Sequence, residues 1–363
     1  MSRIALVGPL PPPAGGMANQ TLQLARLLGE DGIAVDVVQV NRPYKPAWIG
    51  RVRVARALAR LLPYLVALWR TVGRSDLVHV MANSGWAWHL FAAPAIRIAA
   101  LRGRPVVVNY RGGEAPAFLA RAGSVRRTLR RSAAVVVPSR FLHDVFASHG
   151  VSSRIVPNIV DVARFGIPGQ RTAGPSARMI VTRNLERIYD LPTALRAFAL
   201  VQQRRPEATL AIAGTGPERE TLEGLATELG VRERVEFTGR LDPVEIAELC
   251  ARADLMLNPA RVDNMPNSIL EGLAAGVPIV TTNVGGIPFI VEHEHTALLV
   301  AAGDAQAMAQ AALRLLDDAT LRERLRANGR EAARQYTWPR IRPLWLGLYQ
   351  ELLGSRCAVE ATR

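Results

Sequence analysis

The sequence predicts an α/β protein with two domains, and three observations lead to this fold class. The chain has 363 residues with 49% hydrophobic content, which is enough for two full cores. Short buried runs such as residues 4–7 alternate with helical patterns such as residues 17–28. Residues 166–177 are rich in Gly, Pro and Ser without periodicity, as is typical of a domain boundary. We therefore expect a first domain over residues 1–165 and a second domain that begins at residue 178.

The most informative stretch runs from Asn258 to Gly286, where a strand, a polar loop, a short helix and a second strand follow one another. Two carboxylates, Asp263 and Glu271, flank the start of the helix, and Pro266 is a favourable first-turn residue. Ligands bind at the carboxyl ends of parallel strands, and backbone N–H groups at a helix start suit phosphate. The stretch therefore predicts a phosphate site with two acidic groups, although two such acids alone are more often solvated surface charges.

The residues around the two acids are similar to a known signature. Asp263 is followed by seven residues, Glu271, a small-residue helix, Gly-Val-Pro and the pair Gly285 and Gly286. This pattern resembles the donor site of the retaining GT-B glycosyltransferases of glycosyltransferase family four, which usually has Glu at both acidic positions. Asp263 departs from the pattern and is one methylene shorter than Glu, so its contact requires the backbone or the sugar to move closer.

The resemblance covers nearly the whole chain and implies a fold and a reaction. The implied fold is α/β of the GT-B type, with two Rossmann-like domains facing each other across a cleft. The second domain would span residues 178–335, and a C-terminal helix within residues 336–363 would cross back onto the first domain. The implied reaction moves a sugar from a UDP- or GDP-linked donor to an acceptor hydroxyl with retention, without a metal or another cofactor.

The resemblance also assigns roles to individual residues. Glu271 would accept hydrogen bonds from the donor ribose, Asp263 would hold sugar hydroxyls, and Arg183 would neutralise the leaving diphosphate. Family members carry a lysine a few residues after the arginine, but here an Ile-Tyr pair stands near its place and Arg187 is the nearest cation. Arg187 is either a substitute phosphate ligand or a solvated surface charge.

The predicted site residues form three groups, and none of them is a metal ligand. The catalytic group comprises Arg111, Arg183 and Asp263. The donor-binding group comprises Gly15, Gly16, Arg183, Arg187, Gly216, Arg240, Asp263, Asn264, Met265, Pro266, Asn267, Ser268 and Glu271. The acceptor-binding group comprises Asn83, Trp86, Arg111 and Glu114. No metal site is expected at His293 and His295, because zinc ligands on helices are three or four residues apart.

The glycine pair near the start of the chain precedes a predicted helix. Gly15 and Gly16 stand directly before residues 17–28, where a phosphate could approach the backbone closely. Gly-Gly alone fits a plain turn equally well, and the dinucleotide fingerprint G-x-G-x-x-G is not matched. Within the resemblance, the pair corresponds to the family's N-terminal Gly-Gly loop over the reaction centre.

The acceptor group follows two predicted strands of the first domain, residues 77–80 and 106–108. Parallel strands place such polar loops on the ligand-binding side of a sheet. Many family members have histidine in the place of Arg111. Arginine cannot act as a general base at neutral pH, so we expect it to hold a phosphate or a carboxylate. Trp86 could instead be a packing residue, which is the commoner role of tryptophan.

The charge of the chain is concentrated in its first part. The net charge is +14, and residues 1–165 hold 22 basic and 7 acidic residues. The remainder is nearly neutral, which predicts an anionic partner for the first domain. Lys45 is the single lysine among 45 basic residues, which argues against a P-loop and against Schiff-base chemistry.

Residues 48–74 form a basic amphipathic pattern with two interpretations. An apolar face is predicted at Val54, Leu58, Leu61, Leu65 and Trp69, a basic face at Arg53, Arg56 and Arg60, and a kink at Pro63, with Trp48 at the other end. The helix either packs on the core or lies on an anionic membrane. A second basic face, at Arg126, Arg127, Arg130 and Arg131, favours the membrane.

The remaining sequence features indicate where in the cell the protein is expected. No apolar run approaches the roughly 20 residues of a membrane span, the N-terminus does not read as a signal peptide, and two cysteines suit a reducing cytoplasm. We therefore expect a cytoplasmic protein in peripheral contact with the inner face of the plasma membrane. The expected acceptor is a glycan or a lipid-linked glycan of cell-surface polysaccharide or glycolipid synthesis.

Three other function classes fit the sequence less well than glycosyl transfer. A non-catalytic nucleotide-sugar-binding module of the same fold is the main alternative, since Asp263, Arg111 and the missing lysine depart from the family pattern. An RNA-binding protein would need aromatic residues interleaved on a strand platform, and these are not present in the sequence. A dehydrogenase would need the Gly-rich dinucleotide fingerprint.

Overall fold

The computed structural model describes residues 2–12, 15–42, 53–166 and 176–361, except for the side chains of residues 53–59 and 355–361. Contacts divide the chain into two compact units. The first unit comprises Met1–Asn158 with Ile341–Arg363, and the second comprises Ile159–Arg340. Each unit is an α/β structure around one parallel sheet, so the predicted fold class of two Rossmann-like halves is confirmed.

The first unit contains a six-stranded parallel sheet of order β2-β1-β3-β4-β5-β6. Its strands are β1 Arg3–Gly8, β2 Ala34–Gln39, β3 Leu77–Ala82, β4 Val106–Tyr110, β5 Ala134–Val137 and β6 Arg154–Ile155. All residues of β3 and β4 are buried, as expected for central strands that are covered on both faces. This is why the sequence shows them as near-continuous apolar runs.

The helices of the first unit cover both faces of this sheet. They are α1 Gly16–Glu30, α2 Arg53–Arg74, α3 Ala93–Leu101, α4 Ala115–Arg121, α5 Gly123–Leu129 and α6 Arg140–Ser148, with a π-helical turn at Trp88–Ala92. Helices α2, α3, α5 and α6 contribute to one core cluster with the inner residues of β3 and β4. The helix predicted at residues 17–28 is confirmed as α1.

The second unit repeats the arrangement with the sheet order β12-β11-β10-β7-β8-β9. Its strands are β7 Arg178–Thr182, β8 Thr209–Ala213, β9 Val235–Gly239, β10 Leu255–Asn258, β11 Ile279–Thr282 and β12 Leu298–Val300. Its helices are α7 Val162–Phe165, α8 Leu191–Arg204, α9 Arg219–Glu228, α10 Pro243–Arg252, α11 Asn267–Ala275, α12 Ala305–Asp317 and α13 Ala319–Ala333. One core cluster lies on the side of α8 and α12, and a second lies on the side of α10 and α11.

The last helix, α14 Trp338–Ala361, packs on the sheet of the first unit through its residues after 341. Tyr349 Oη lies 2.7 Å from Nδ1 of His79, a fully buried residue of β3. The Trp345 ring lies 4.7 Å from the His79 ring, and Asn109 Nδ2 lies 3.1 Å from His79 Nε2. Burial, with a smaller effect of the Arg111 charge, lowers the pKa of His79 to about 3, so His79 stays neutral in the fold.

Helix α2 differs from the predicted amphipathic pattern. Its buried stripe consists of Tyr64, Leu68 and Val72, whereas Trp69 is 46% exposed, so the assignment of Trp69 to the apolar face was wrong. Leu61 and Leu65 do pack against the core. Trp48 and the side chains of Val54, Leu58, Arg53 and Arg56 lie outside the described part of the chain. None of the described helices is long and apolar enough to cross a membrane.

Candidate functional site

Sheet order places two distant loops of the second unit side by side. Strands β7 and β10 pair in parallel, with Leu255 opposite Met179, so the loops that follow them leave the same edge of the sheet. The first loop begins with Arg183, and the second carries Asp263 and leads into α11. This edge is where open parallel sheets bind ligands.

Arg183 is at the centre of the cluster that these loops form. Its Nη2 donates to Asp263 Oδ2, and its Nη1 donates to Ser268 Oγ at 3.2 Å. The side chains of Arg183 and Asp263 are 9% and 13% exposed. The sequence predicted all three residues for the donor site, and the fold brings them together although Arg183 and Asp263 are 80 residues apart.

An aromatic ring completes the cluster. The Tyr189 ring centroid lies 3.8 Å from Arg183 Cζ, which is the distance of a cation–π stack. Arg183 Nε is buried and has no hydrogen-bond partner among the described residues. The sequence pointed to Tyr189 only as a residue near the place of a missing lysine, because a single aromatic residue in a turn carries no periodic signal.

Glu271 lies in the second turn of α11 on the side of this cluster. Burial raises its pKa to about 7, against the opposing charges of Arg183 and Arg164. Arg164 belongs to α7 and was not predicted as a site residue. A carboxyl group with this pKa can change its protonation state near neutral pH.

The start of α11 lies beside the Arg183 cluster. Pro266 occupies the N-cap position and supplies no side-chain cap, and Ser268 Oγ is engaged with Arg183. Asn264 N–H donates to Asp263 Oδ1 at 2.8 Å, so both Asp263 carboxylate oxygens accept hydrogen bonds. The Met265 side chain packs in the core, which leaves only its backbone for ligand contact. Asn267 is the first residue of the helix.

The glycine pair after β11 packs closely against the backbone of the loop that carries Asp263. A Cβ at Gly285 would lie 2.0 Å from Asp263 O, and one at Gly286 would lie 1.7 Å from Asn264 O. Gly286 N–H donates to Asp263 O at 2.9 Å. No other residue type fits this contact without displacing the loop that carries Asp263.

The other predicted donor residues of the second unit lie around this cluster. A Cβ at Gly216 would lie 2.3 Å from Leu185 O, so Gly216 allows close packing behind the Arg183 loop. Arg187 and Arg240 are exposed and follow β7 and β9, respectively.

The predicted acceptor residues lie at the carboxyl ends of β3 and β4 in the first unit. A Cβ at Gly112 would lie 2.5 Å from both Asn83 Oδ1 and Ser84 Oγ, so the two loops touch. Trp86 is 78% exposed, which contradicts the alternative that it is a packing residue. Glu114 is exposed at the start of α4.

Arg111 is half-buried at the same edge and donates to Asn158 Oδ1. Burial lowers the pKa of Arg111 to about 10, so the guanidinium is still charged at neutral pH. Asn158 belongs to a Val-Pro-Asn run in the sequence, but its contact with Arg111 across 47 positions was not predicted.

The glycine pair of the first unit lies at the start of α1. Gly15 is the N-cap residue, and a Cβ there would lie more than 4 Å from the described atoms outside its own chain neighbours. Among the described residues, no three His, Cys, Asp or Glu side chains come together as potential metal ligands.

Comparison with known families identifies the class to which this fold and site belong. The model of glycosyl transferases group 1 matches residues 170–332, and the model of glycosyltransferase family 4 matches residues 14–164. The chain therefore belongs to the family 4 glycosyltransferases of group 1.

Two curated relatives show the range of the family. N-acetyl-alpha-D-glucosaminyl L-malate synthase of Bacillus anthracis is 36% identical over 160 residues, which is 44% of this chain and 39% of that protein. A GDP-mannose-dependent alpha-(1-6)-phosphatidylinositol monomannoside mannosyltransferase of Mycobacterium tuberculosis is 29% identical over 383 residues, covering 93% of this chain and 95% of the relative.

Two solved structures share the fold over nearly the full chain. Sucrose-phosphate synthase from Thermosynechococcus elongatus has a TM-score of 0.79 at 20% identity and covers 98% of this chain and 100% of its own. The Anabaena protein Alr3699/HepE in complex with UDP has a TM-score of 0.73 at 17% identity and covers 97% and 100%. At these identities the likeness concerns the fold.

Proposed function

We propose that the protein transfers a sugar from a UDP- or GDP-linked donor to an acceptor hydroxyl with retention of anomeric configuration. The observation that carries this proposal is the Arg183 cluster: a buried arginine, held between Asp263, Ser268 and Tyr189 at the start of α11. The UDP bound to the Anabaena protein and the GDP-mannose dependence of the mycobacterial relative support both donor bases.

Arg183 is the group that would neutralise the leaving diphosphate. A guanidinium grips phosphate through two parallel N–H donors, and the backbone N–H groups at the start of α11 add a partial positive charge. Stabilising the charge that develops on the leaving group is the main catalytic task, because positioned cations act where charge develops.

Asp263 and Glu271 would bind the two sugars of the donor, the transferred sugar and the ribose, respectively. Asp263 is paired with Arg183, and a diphosphate that takes over the guanidinium releases Asp263 Oδ2 for hydroxyls of the transferred sugar. The ionised form of Glu271 accepts hydrogen bonds from the ribose hydroxyls. Its pKa of about 7 means that this form gains population through the neutral range.

The reaction exchanges one bond for another at the anomeric carbon. The bond from this carbon to the diphosphate oxygen breaks, and the acceptor oxygen bonds to the same face, which retains the configuration. The acceptor proton passes to the leaving phosphate oxygen. No protein nucleophile is required by this scheme.

The acceptor would lie at the edge of the first unit that carries Asn83, Trp86, Arg111 and Glu114. An exposed indole suits stacking on a sugar ring, and the charged Arg111 suits a phosphate or carboxylate of the acceptor. A glycan or lipid-linked glycan of cell-surface polysaccharide or glycolipid synthesis carries both groups.

We also propose peripheral contact with an anionic membrane at the cytoplasmic face of the plasma membrane. The exposed side of α2 presents Leu62, Val66 and Trp69, with the Arg102 Cζ 3.8 Å from the Trp69 ring. Leu101 of the adjacent α3 is 78% exposed. Apolar side chains bordered by arginines suit the boundary between headgroups and acyl chains.

The test of the donor site is a thermal-shift panel of UDP, GDP, ADP and their common sugar conjugates with EDTA present. A ligand at a hundred times its Kd adds about 2.7 kcal/mol to the free energy of unfolding. We expect one nucleotide to stabilise the wild type and Glu271→Ala to abolish the effect. Glu228→Ala, at an exposed position of α9, is the matched control and keeps it.

The same panel separates the two functions that the fold allows. Binding with release of free sugar or transfer to an acceptor supports the transferase. Binding of a nucleotide sugar without turnover would instead indicate the non-catalytic binding module. Absence of binding by every nucleotide would overturn both.

A further inference from the structure

The turn after β7 places an aromatic ring on one face of the donor-site arginine. Tyr189 closes the 3₁₀ turn Arg187–Tyr189, and its ring centroid lies 3.8 Å from Arg183 Cζ. The cation therefore lies over the negative π face at van der Waals distance. The ring fixes this face of the guanidinium without using any of its N–H donors.

Contacts with the neighbouring loop hold the turn that carries Tyr189. Ile188 O accepts a hydrogen bond from Arg261 N at 2.9 Å. Asp190 adopts a φ of 46°, in the left-handed region, and its Oδ2 accepts from Arg261 Nε at 2.8 Å. Arg261 belongs to the loop after β10, so the loop that carries Asp263 also positions the ring.

The Tyr189 ring contacts Arg183 through its π face, and the Tyr189 side chain carries no charge. Burial raises the pKa of Tyr189, against the opposing effect of the Arg183 charge, so the phenol is neutral at physiological pH. A phenyl ring in the same place would offer nearly the same surface to the guanidinium. Phenylalanine is therefore the conservative substitution at this position, and an aliphatic residue is the disruptive one.

The protein itself holds the Arg183 guanidinium on several sides. Nη1 and Nη2 are engaged with Ser268 and Asp263, whereas Nε lies buried without a hydrogen-bond partner among the described residues. A buried N–H without an acceptor is unfavourable, so the Tyr189 ring and the two Nη contacts fix the guanidinium although one hydrogen bond is unmade. The geometry is that of an arginine arranged before its ligand arrives.

We propose that Tyr189 is a positioning residue for the diphosphate: its ring holds the Arg183 guanidinium in the plane in which the donor phosphates meet it. This inference rests on the proposed function, because it concerns the same site. An arginine that is fixed in advance loses less conformational freedom on binding, which raises the affinity for the phosphates.

The experiment is calorimetric titration of the wild type, Tyr189→Leu and Tyr189→Phe with UDP, GDP, uridine and guanosine. We expect Tyr189→Leu to weaken binding of the diphosphate about fivefold to thirtyfold, the range of a partly desolvated cation–π contact. Tyr189→Phe should stay within about twofold of the wild type, and the parent nucleoside should bind all three proteins equally, because it makes no contact with Arg183 through phosphate.

A double-mutant cycle shows whether the effect passes through Arg183. In an Arg183→Ala background, Tyr189→Leu should cause no further loss of diphosphate affinity. Phe141→Leu, which removes a half-buried aromatic ring of α6 in the first unit, is the control and should leave affinity unchanged. Tyr189→Met replaces Tyr189→Leu if the leucine variant does not fold.

The possible failures are distinguishable. A wild type that binds neither UDP nor GDP overturns the proposed function. A wild type that binds, together with unchanged affinity in Tyr189→Leu, overturns this inference alone. Equal weakening of nucleoside and diphosphate, or equal weakening in the Arg183→Ala background, also overturns it, since the ring then supports the fold and not the arginine.

Discussion

At the scale of the residue, Glu271 links the stability of the second unit to pH. Its pKa is about 4.5 in an unfolded chain and about 7 in the fold, because burial disfavours the ionised form. A carboxyl group with a raised folded pKa stabilises the fold fully below the unfolded value. This contribution is lost as the pH rises through the folded value.

Glu271→Gln should therefore remove a pH-dependent part of the stability. At pH 5 we expect the variant to be the more stable by less than about 1 kcal/mol, because the Glu271 carboxyl is neutral in the fold and already ionises in the unfolded chain. Above pH 8 the variant should be the more stable by at most about 3 kcal/mol, which corresponds to the shift in pKa. Urea unfolding between pH 5 and pH 8.5 measures this difference, and parallel curves for the two proteins would contradict it.

The ion pair of Arg183 and Asp263 contributes both to the stability of the fold and, in the proposed function, to the rate of transfer. Arg183→Ala should lower the free energy of unfolding by about 1–3 kcal/mol, because Asp263 then stays buried without its cation. It should also slow transfer about 100-fold to 1000-fold, since the leaving charge loses its positioned cation. Urea unfolding and release of the nucleoside diphosphate measure the two effects.

The control for this prediction is the double variant Arg183→Ala/Asp263→Asn. It removes the unpaired charge and should regain most of the stability without regaining the rate. Recovery of the rate would show that Arg183 serves only to neutralise Asp263. Failure to recover stability would show that the loss has another cause.

How far the sequence predicts the site differs from residue to residue. Asp263, Ser268 and Glu271 lie within one local motif, so their spacing already placed them around a helix start. The Arg183 contact depends on strand order, which the resemblance implied. The Tyr189 stack and the contact of Arg111 with Asn158 depend on side-chain packing between separate loops, which spacing alone does not encode.

At the scale of the element, α14 is held on the first sheet by a buried polar contact. His79 Nδ1 lies 2.7 Å from Tyr349 Oη, and both side chains are surrounded by core residues. Because the pKa of His79 is about 3, the contact joins a neutral imidazole to a phenol. Such a hydrogen bond adds little net stability, but removing one partner is costly because the other then stays buried without a hydrogen bond.

Tyr349→Phe should therefore destabilise the protein by about 1–3 kcal/mol, because it leaves a buried imidazole nitrogen without its partner. Urea unfolding at pH 7 is the measurement. Tyr336→Phe, at a buried tyrosine of the second unit, is the matched control and should have a smaller effect. An equal loss in both variants would contradict a specific role of the His79 contact.

Helix α2 shows where element prediction from sequence fails. The amphipathic pattern correctly predicted a helix and placed Leu61 and Leu65 on the core. It placed Trp69 on the same face because Leu61, Leu65 and Trp69 are spaced four residues apart. In the structure the buried stripe follows Tyr64, Leu68 and Val72, so the face is rotated and the indole lies outside. Strands β3 and β4 were easier to predict. Their residues are buried on both faces of the sheet, so the prediction did not depend on which face is apolar.

At the scale of the whole molecule, charge and apolar exposure coincide in the first part of the chain. Residues 1–165 hold 22 basic and 7 acidic residues, and Leu62, Val66, Trp69 and Leu101 are exposed there. We expect the protein to float with vesicles that contain phosphatidylglycerol and to dissociate as salt is added, because exposed charges are screened.

Trp69→Glu should abolish this flotation, since it places a carboxylate where an anionic surface and acyl chains would lie. Phe289→Glu is the matched control, because Phe289 is 53% exposed in the second unit. Equal flotation with neutral phosphatidylcholine vesicles, or unchanged flotation of Trp69→Glu, would contradict the proposed contact.

The adjacency of β7 and β10 has a consequence for the order in which the molecule is made. The two strands are neighbours in the sheet, but the segment between them must be synthesised before they can pair. Arg183 therefore leaves the ribosome long before Asp263 and the start of α11, and until then it lacks the carboxylate with which it pairs in the fold. We therefore expect nucleotide affinity to appear only after β10 and α11 have been synthesised and β10 has paired with β7.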